Sequence, residues 1–340
     1  MLPGCNVLTL RGGQDRCPDQ FRALVKLLTL RFLPLLAALG IAWECGATEP
    51  LFEPHDVVAF VGGQTMVEIS ESGYLEAQLT RALPGYQLRF RSLAWEGDTV
   101  FEQRRDLNFP PLEEQLTRIS ATVVIVQFGQ MESLGRMGEG RMSKSERASA
   151  DELAEFTAAY EKLIDRVGGG ENHHRRVLLL APVSFEQNAG DLSEPMVSAY
   201  AQAAGKVGRG RGLPFIDFEG VQFPAREAQT IGRVLQSKAS AGLAKRVCRL
   251  LKIGEANDPE PASDDELLRA KIIEKNRLWF HYWRPQNWAF LNGDRTVQPS
   301  SRDHLDPSKR WFPAEIEQFI PLIEAKEREI DDLAARVTKR

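Results

Sequence analysis

Three strand signals constrain the fold of this chain more than any other feature of its sequence. The strongest covers Thr122–Phe128, a mostly apolar, β-branched run that ends at Gly129. Asp56–Val61 is a second such run and ends in a pair of glycines, and Val177–Ala181 is a third. Largely continuous apolar runs are typical of strands that are buried on both faces. The sequence therefore predicts a sheet that is covered by helices on both sides.

Helix-like segments lie between these strands. We predict helices at about Tyr74–Leu83, Leu112–Ile119, Ala150–Val167 and Pro195–Val207, and further strands at Tyr86–Leu93 and Pro214–Phe218. This alternation predicts an α/β fold with a doubly wound parallel sheet of about five strands, of the flavodoxin-like kind. In such sheets the ligand crevice lies beyond the carboxyl ends of the strands.

The N-terminal region has the layout of a secretory signal. Three basic residues precede an apolar run from Phe32 to Trp43, and small residues follow at Cys45–Ala47. This pattern predicts a signal segment within residues 1–47 and an exported protein, periplasmic or extracellular, with no stable membrane span after cleavage. A buried helix or an uncleaved anchor is the alternative interpretation.

Charge and cysteine content argue against several classes of partner. The formal net charge is -4, and no basic domain is present that would predict a nucleic-acid partner. After cleavage only Cys248 would remain, so no intramolecular disulfide is expected. With four cysteines and five histidines in the whole chain, we expect no structural metal site, and no cofactor is implied.

The character of the chain changes after Gly254. We predict an α/β domain over residues 52–255 and an extension over residues 256–340 that packs on this core. The extension contains an aromatic segment, Trp279–Trp288, and a charge-rich helix predicted at Pro313–Lys339. The aromatic rings suit either a cover for the edge of the sheet or a platform on which sugars stack.

Four sequence blocks, each at a predicted strand end, carry a resemblance to a known family. They are Gly63–Glu68, Ser92–Thr99, Phe128–Ser133 and Ala181–Ser184. In content and order they resemble the motifs of SGNH (GDSL-like) ester hydrolases, over roughly residues 56–218. The resemblance implies a small-molecule or carbohydrate ester as the ligand.

The resemblance implies a role for several of these residues. Thr65 takes the position of the serine nucleophile, and Gln64 takes that of the aspartate before it. The Gly97 amide takes the position of an oxyanion donor. In the block that begins at Gly129, Met131 replaces a donating asparagine and Glu132 follows it; a thioether cannot donate a hydrogen bond. A threonine hydroxyl can act as a nucleophile when a base activates it. The alternative is that Thr65 is only a helix N-cap.

The last block of the family supplies the general base and its orienting acid. Here the corresponding segment is Ser301-Arg302-Asp303-His304, in which Ser301 stands at the position of the acid. His304 is the candidate base, and Asp303 is a neighbouring carboxylate at a different offset. His281, in the aromatic segment, is the other candidate base, and an exposed surface histidine is the alternative for His304.

Two hypotheses follow from the residues that match the family's motifs and from those that differ from them. The first is an exported ester hydrolase with weakened activity, acting on acylated carbohydrate, in which Thr65 attacks and His304 accepts its proton. The second is a non-catalytic protein of the same fold that binds a glycan or another ligand in the crevice. A third possibility is that the C-terminal extension serves protein interaction.

Overall fold

A parallel sheet of five strands forms the centre of the part of the chain that the structure describes. The structure is a computed structural model and describes residues 50–105, 107–134, 148–169, 174–183, 193–218, 237–253 and 263–337. The predicted signal segment lies outside these residues. Pro50–Arg340 groups as one compact unit.

The strands and their order confirm the predicted fold class. The strands are β1 (Val57–Gly62), β2 (Arg89–Ser92), β3 (Val123–Gln127), β4 (Arg176–Leu180) and β5 (Phe215–Ile216). They lie side by side in the order β2-β1-β3-β4-β5, and every pair is parallel. This order is that of flavodoxin-like sheets, whose ligand crevice opens where the strand order reverses, between β1 and β3.

Ten helices surround the sheet within the described residues. They are α1 (Gln64–Ser72), α2 (Tyr74–Ala82), α3 (Leu112–Arg118), α4 (Ala150–Gly168), α5 (Ser193–Gly210), α6 (Ser237–Leu250), α7 (Ser263–Trp283), α8 (Trp288–Leu291), α9 (Trp311–Ile316) and α10 (Phe319–Val337). None of the described helices is both long and apolar enough to cross a membrane.

Both faces of the sheet are buried, which explains the continuous apolar runs. Alternate residues of β1 and β3 enter different clusters: Ala59 and Val124 pack with side chains of α4 and α5. Phe60 and Ile125 pack on the other face with side chains of α1, α2 and α6. Because each strand needs apolar side chains on both sides, no alternation with polar residues remains in the sequence.

Two helix predictions need correction. Helix α1 was implied only by the N-cap interpretation of Thr65, and the β-branched residues Thr65, Val67 and Ile69 explain why its pattern is weak, since such side chains have low helix propensity. Burial of the helix against the sheet overrides this preference. The single helix predicted at Pro313–Lys339 is two helices, α9 and α10. Pro321 cannot continue a preceding helix, but it is tolerated in the first turn of α10.

The C-terminal extension covers the edge of the sheet at β2. From α7, the Lys275 ammonium donates a hydrogen bond to the Phe90 carbonyl, and the Trp279 indole donates one to the Ser92 carbonyl. From α10, Glu327 forms an ion pair with Arg91 of β2. An open strand edge leaves backbone groups without partners, and here side chains of the extension satisfy two of them.

Candidate functional site

The turn after β1 is held between the segments that follow β2 and β3. A side chain at Gly62 would bring its Cβ to 2.4 Å from the Gln127 carbonyl oxygen, so no other residue fits there. A Cβ at Gly63 would stand 3.0 Å from the Asp98 carbonyl oxygen and 3.6 Å from Cγ of Met131. The structure therefore brings together parts of the first three blocks that the sequence singled out.

The hydroxyl of Thr65 is buried and bound to an amide. Thr65 has no exposed surface, and its Oγ1 donates a hydrogen bond of 2.6 Å to Oε1 of Gln130. The Gln130 side-chain amide in turn donates to the carbonyl of Val183, at 3.0 Å. The N-cap interpretation of Thr65 is wrong, because Gly63 is the N-cap of α1 and Thr65 is the second residue of the helix. The threonine joins the end of β1 to the loops after β3 and β4.

His304 and Asp303 lie on a loop before α9 and make local contacts. The His304 side chain is 77% exposed, and its ring stacks on Trp311. One carboxylate oxygen of Asp303 accepts hydrogen bonds from the backbone amides of Leu305 and Asp306, and it lies 4.0 Å from His304 Nδ1. The described hydrogen bonds thus direct the Thr65 hydroxyl to Gln130, and none joins it to His304. The predicted pairing of Thr65 as nucleophile with His304 as base stays a prediction.

Glu132 ties two of the predicted oxyanion segments to each other. One of its carboxylate oxygens accepts a hydrogen bond from the amide of Val100, at 2.7 Å, and the other accepts one from the amide of Gly129, at 2.8 Å. Burial raises the pKa of Glu132, although both amides favour its charged form. The Gly129 amide is therefore engaged by this carboxylate. Gly97 is exposed and has a φ of +83°, a conformation that favours glycine.

The segment that carries Gly97 is fixed by charge and aromatic contacts. Asp98 accepts two hydrogen bonds of 2.7 Å from the guanidinium of Arg105. The Trp95 ring contacts two guanidinium groups, that of Arg105 at 4.3 Å and that of Arg284 at 3.6 Å. Bidentate pairs and cation–π contacts of this kind hold a loop in one geometry.

A groove of about 690 Å³ runs between α1 and α7, beside the turn. Gln64, Glu68 and Glu71 line it from α1, and Ser92 and Ala94 line it at the end of β2. Gln64 donates a hydrogen bond of 2.7 Å to Glu68. Four residues of α7, each separated from the next by four positions, line the facing wall: Arg269, Ile273, Arg277 and His281. Four-residue spacing places them on one face of the helix.

The aromatic segment contributes to both the core and the groove. Trp279 and Trp283 are buried at 4% and 8% exposure, whereas Phe280 is 39% exposed and lines the groove. Tyr74 lines it from α2, where the Arg269 guanidinium lies 4.5 Å from its ring centre. Burial of Trp279 and Trp283 agrees with the interpretation of the segment as a cover for the sheet edge, and the sugar platform stays a prediction.

A second cavity, of about 220 Å³, lies beside Met131. It is bounded by Thr99, Phe101, Met131, Glu132, Glu152, Glu155 and Tyr200. The described residues contain no group of three or more histidine, cysteine, aspartate or glutamate side chains that could hold a metal ion.

Two features of the site were missed by reasoning from sequence. Gln130, the partner of Thr65, is 65 positions away in the chain, and no local pattern pairs them. The α7 wall of the groove has a signal in the sequence, because multiples of four positions separate Arg269, Arg277 and His281. His281, predicted as the other candidate base, lines the same groove as Gln64.

Comparisons with known proteins find similarity only at the level of structure. No family model matches the chain, and no curated protein matches it in sequence. Among solved structures, the chain is similar to an alpha/beta hydrolase enzyme, LAE5, from the metagenome of Lake Arreo, Spain, at 16% identity and a TM-score of 0.45, covering 61% of this chain and 100% of that one.

Two acetylxylan esterases show a comparable similarity. One, from Geobacillus stearothermophilus and solved as a catalytic mutant, has 18% identity and a TM-score of 0.44, with 61% of this chain and 99% of that one covered. The other, AlAXEase, has 15% identity and a TM-score of 0.43, with 57% of this chain and 98% of that one covered.

Proposed function

We propose that this protein binds a saccharide ligand in the groove between α1 and α7 and does not hydrolyse it. The observation that carries the proposal is the buried hydrogen bond from the Thr65 hydroxyl to the Gln130 amide oxygen. A nucleophilic hydroxyl must approach the acyl carbon to about 3–3.5 Å and must give its proton to a base. The Thr65 hydroxyl has no exposed surface and donates to an amide oxygen, which is not a base near neutral pH, and both features support the proposal.

The oxyanion positions support the same proposal. Met131 offers a thioether where a donor would be needed, and the Gly129 amide is held by Glu132. Removal of a single oxyanion donor typically lowers the rate about 100- to 1000-fold. The missing donor at Met131 and the engaged amide of Gly129, together with the bound hydroxyl of Thr65, support binding without hydrolysis.

The groove has the size and the composition of a site for a small polar ligand. Sites of this kind enclose roughly 300–1000 Å³, and the groove encloses about 690 Å³. Phe280 offers an exposed ring on which a pyranose face can stack, while Gln64 and Glu68 offer hydrogen-bonding groups for hydroxyls. The proposal keeps the predicted export of the protein, which the N-terminal basic and apolar pattern supports.

Substitution of Phe280 tests the groove as the binding site. Phe280→Ala removes an exposed ring, and we expect it to weaken binding of an oligosaccharide about tenfold, the free-energy equivalent of one aromatic contact. Leu322→Ala is the matched control, because Leu322 is an exposed apolar side chain of α10 that does not line the groove. Isothermal titration calorimetry of both variants with neutral and acidic oligosaccharides gives the comparison. Equal affinities in the two variants would contradict this assignment of the groove.

A further inference from the structure

The charges that line the groove divide between its two walls. The α1 wall carries the carboxylates of Glu68 and Glu71, and the α7 wall carries the guanidinium groups of Arg269 and Arg277 together with the His281 imidazole. A ligand that lies across the groove therefore meets acceptors on one side and donors on the other. A negatively charged group on it would be attracted to α7 and repelled from α1.

The two arginines of this wall differ in what already binds them. Arg269 donates to the carboxylate of Glu266, at 2.7 Å, and to the carbonyl of Ser72, at 3.0 Å. Within the described part of the chain, no hydrogen bond or ion pair engages Arg277, whose side chain is exposed. Arg277 is therefore the guanidinium of the groove that can bind a ligand without first losing a partner.

Glu274, which lies one turn before Arg277 on α7, already has charged partners of its own. Glu274 is bound by the ammonium groups of Lys326, at 2.9 Å, and Lys271, at 3.2 Å. These two lysines hold the pKa of the Glu274 carboxyl below its ordinary value. Glu274 thus satisfies its charge with lysines, and no ion pair among the described residues joins it to Arg277, which lines the groove.

These observations give the groove a more specific ligand. We infer that the saccharide bound there carries a carboxylate, as a uronate does, and that Arg277 binds this carboxylate through two parallel hydrogen bonds. The inference rests on the proposed function, because it concerns the same groove. Guanidinium matches a carboxylate in geometry as well as in charge, and lysine does not. The carboxylate faces α7, and the sugar hydroxyls face Gln64 and Glu68.

The test compares three probes on the full chain by titration calorimetry: digalacturonate, a neutral digalactose of the same linkage, and hexanoate. We expect wild type to bind digalacturonate most tightly. Arg277→Gln should weaken this binding about ten- to a hundredfold, and Arg277→Lys should restore part of it. Arg328→Gln is the control, because Arg328 is an exposed arginine of α10 outside the groove, and it should bind as wild type does.

Each other outcome overturns a defined part of the account. Equal binding of digalacturonate by wild type and Arg277→Gln, or tighter binding of digalactose than of digalacturonate, overturns the carboxylate assignment and leaves saccharide binding in place. Hexanoate bound as tightly as digalacturonate shows a carboxylate site that does not require a sugar, and it overturns the saccharide part. No binding of either disaccharide overturns this inference and the proposed function together.

Discussion

At the scale of single residues, Thr65 and Glu132 show how a candidate active site can serve as structure. The hydroxyl of Thr65 and the carboxylate of Glu132 both stand where chemistry was predicted, and both hold neighbouring loops in place. Glu132 joins the segments after β2 and β3, and Thr65 joins α1 to Gln130. Hydrogen bonds within the protein thus give both polar residues a structural role.

Thr65→Val should destabilise the protein by about 1–3 kcal/mol, because the buried Gln130 oxygen loses its donor while the shape of the side chain is kept. Chemical denaturation measures the change. Thr157→Val is the matched control, because Thr157 also donates to a carbonyl, that of Leu153, but from a half-buried position on α4. A Thr65→Val variant as stable as wild type would show that the hydrogen bond contributes nothing.

Glu132→Gln should destabilise the protein in a pH-dependent way. Glutamine offers one acceptor to the two amides of Val100 and Gly129, so a cost of about 1–3 kcal/mol is expected. The pKa of Glu132 is raised in the folded protein above its ordinary 4.5. The folded state therefore binds this proton more tightly than the unfolded state, and the associated stability is lost as pH rises through the folded pKa.

The difference in unfolding free energy between wild type and Glu132→Gln should accordingly narrow as pH rises above 4.5. Denaturant titrations from pH 4 to pH 8 measure this difference. Glu161→Gln is the control, because Glu161 is an exposed glutamate of α4. Parallel stability curves for wild type and Glu132→Gln would argue against a raised pKa.

At the scale of secondary-structure elements, α7 has two functions in the fold. One face covers the β2 edge of the sheet and the other forms a wall of the groove. Lys275 lies in the covering face, where its ammonium is 2.7 Å from Glu76 of α2 and both side chains are almost fully buried. Desolvation lowers the pKa of Lys275 and raises that of Glu76, while each partner favours the charged form of the other. This pair joins α7 to α2.

Lys275→Met should cost about 3–5 kcal/mol, because it leaves the Glu76 carboxylate buried without its partner. The double variant Glu76→Leu with Lys275→Met should recover most of that loss, since apolar residues can replace a buried pair. Lys271→Met is the control, because its surface pair with Glu274 contributes less than about 1 kcal/mol. If the losses of the two single variants simply add in the double variant, the pair is not coupled.

At the scale of the whole molecule, the sequence predicted the sheet better than it predicted the site. The continuous apolar runs of β1, β3 and β4 and the glycines that end β1 and β3 have local causes, namely burial on both faces and tight turns, and local patterns reveal them. No local sequence pattern predicts the groove. Its walls are Gln64–Glu71 and Arg269–His281, which are about 200 positions apart, and only packing at the β2 edge brings them together.

The contrast between local and distant causes also explains what the family motifs could and could not predict about the site. Residue types at strand ends predicted which loops meet, and the approach of Gly63 to Met131 agrees with that prediction. The direction of a hydroxyl proton depends on a distant acceptor, and the Gln130 side chain could not be assigned to Thr65 from spacing alone.

The most direct test of the central claim, binding without hydrolysis, is a proton NMR experiment on the purified protein with an excess of an acetylated oligogalacturonide. Saturation transferred from the protein to the sugar ring protons reports binding, and free acetate reports hydrolysis. We expect saturation transfer that is weaker in Phe280→Ala than in wild type, with acetate accumulating no faster than in buffer. Acetate released over many turnovers by wild type and not by folded Thr65→Val would contradict the account and restore Thr65 as a nucleophile.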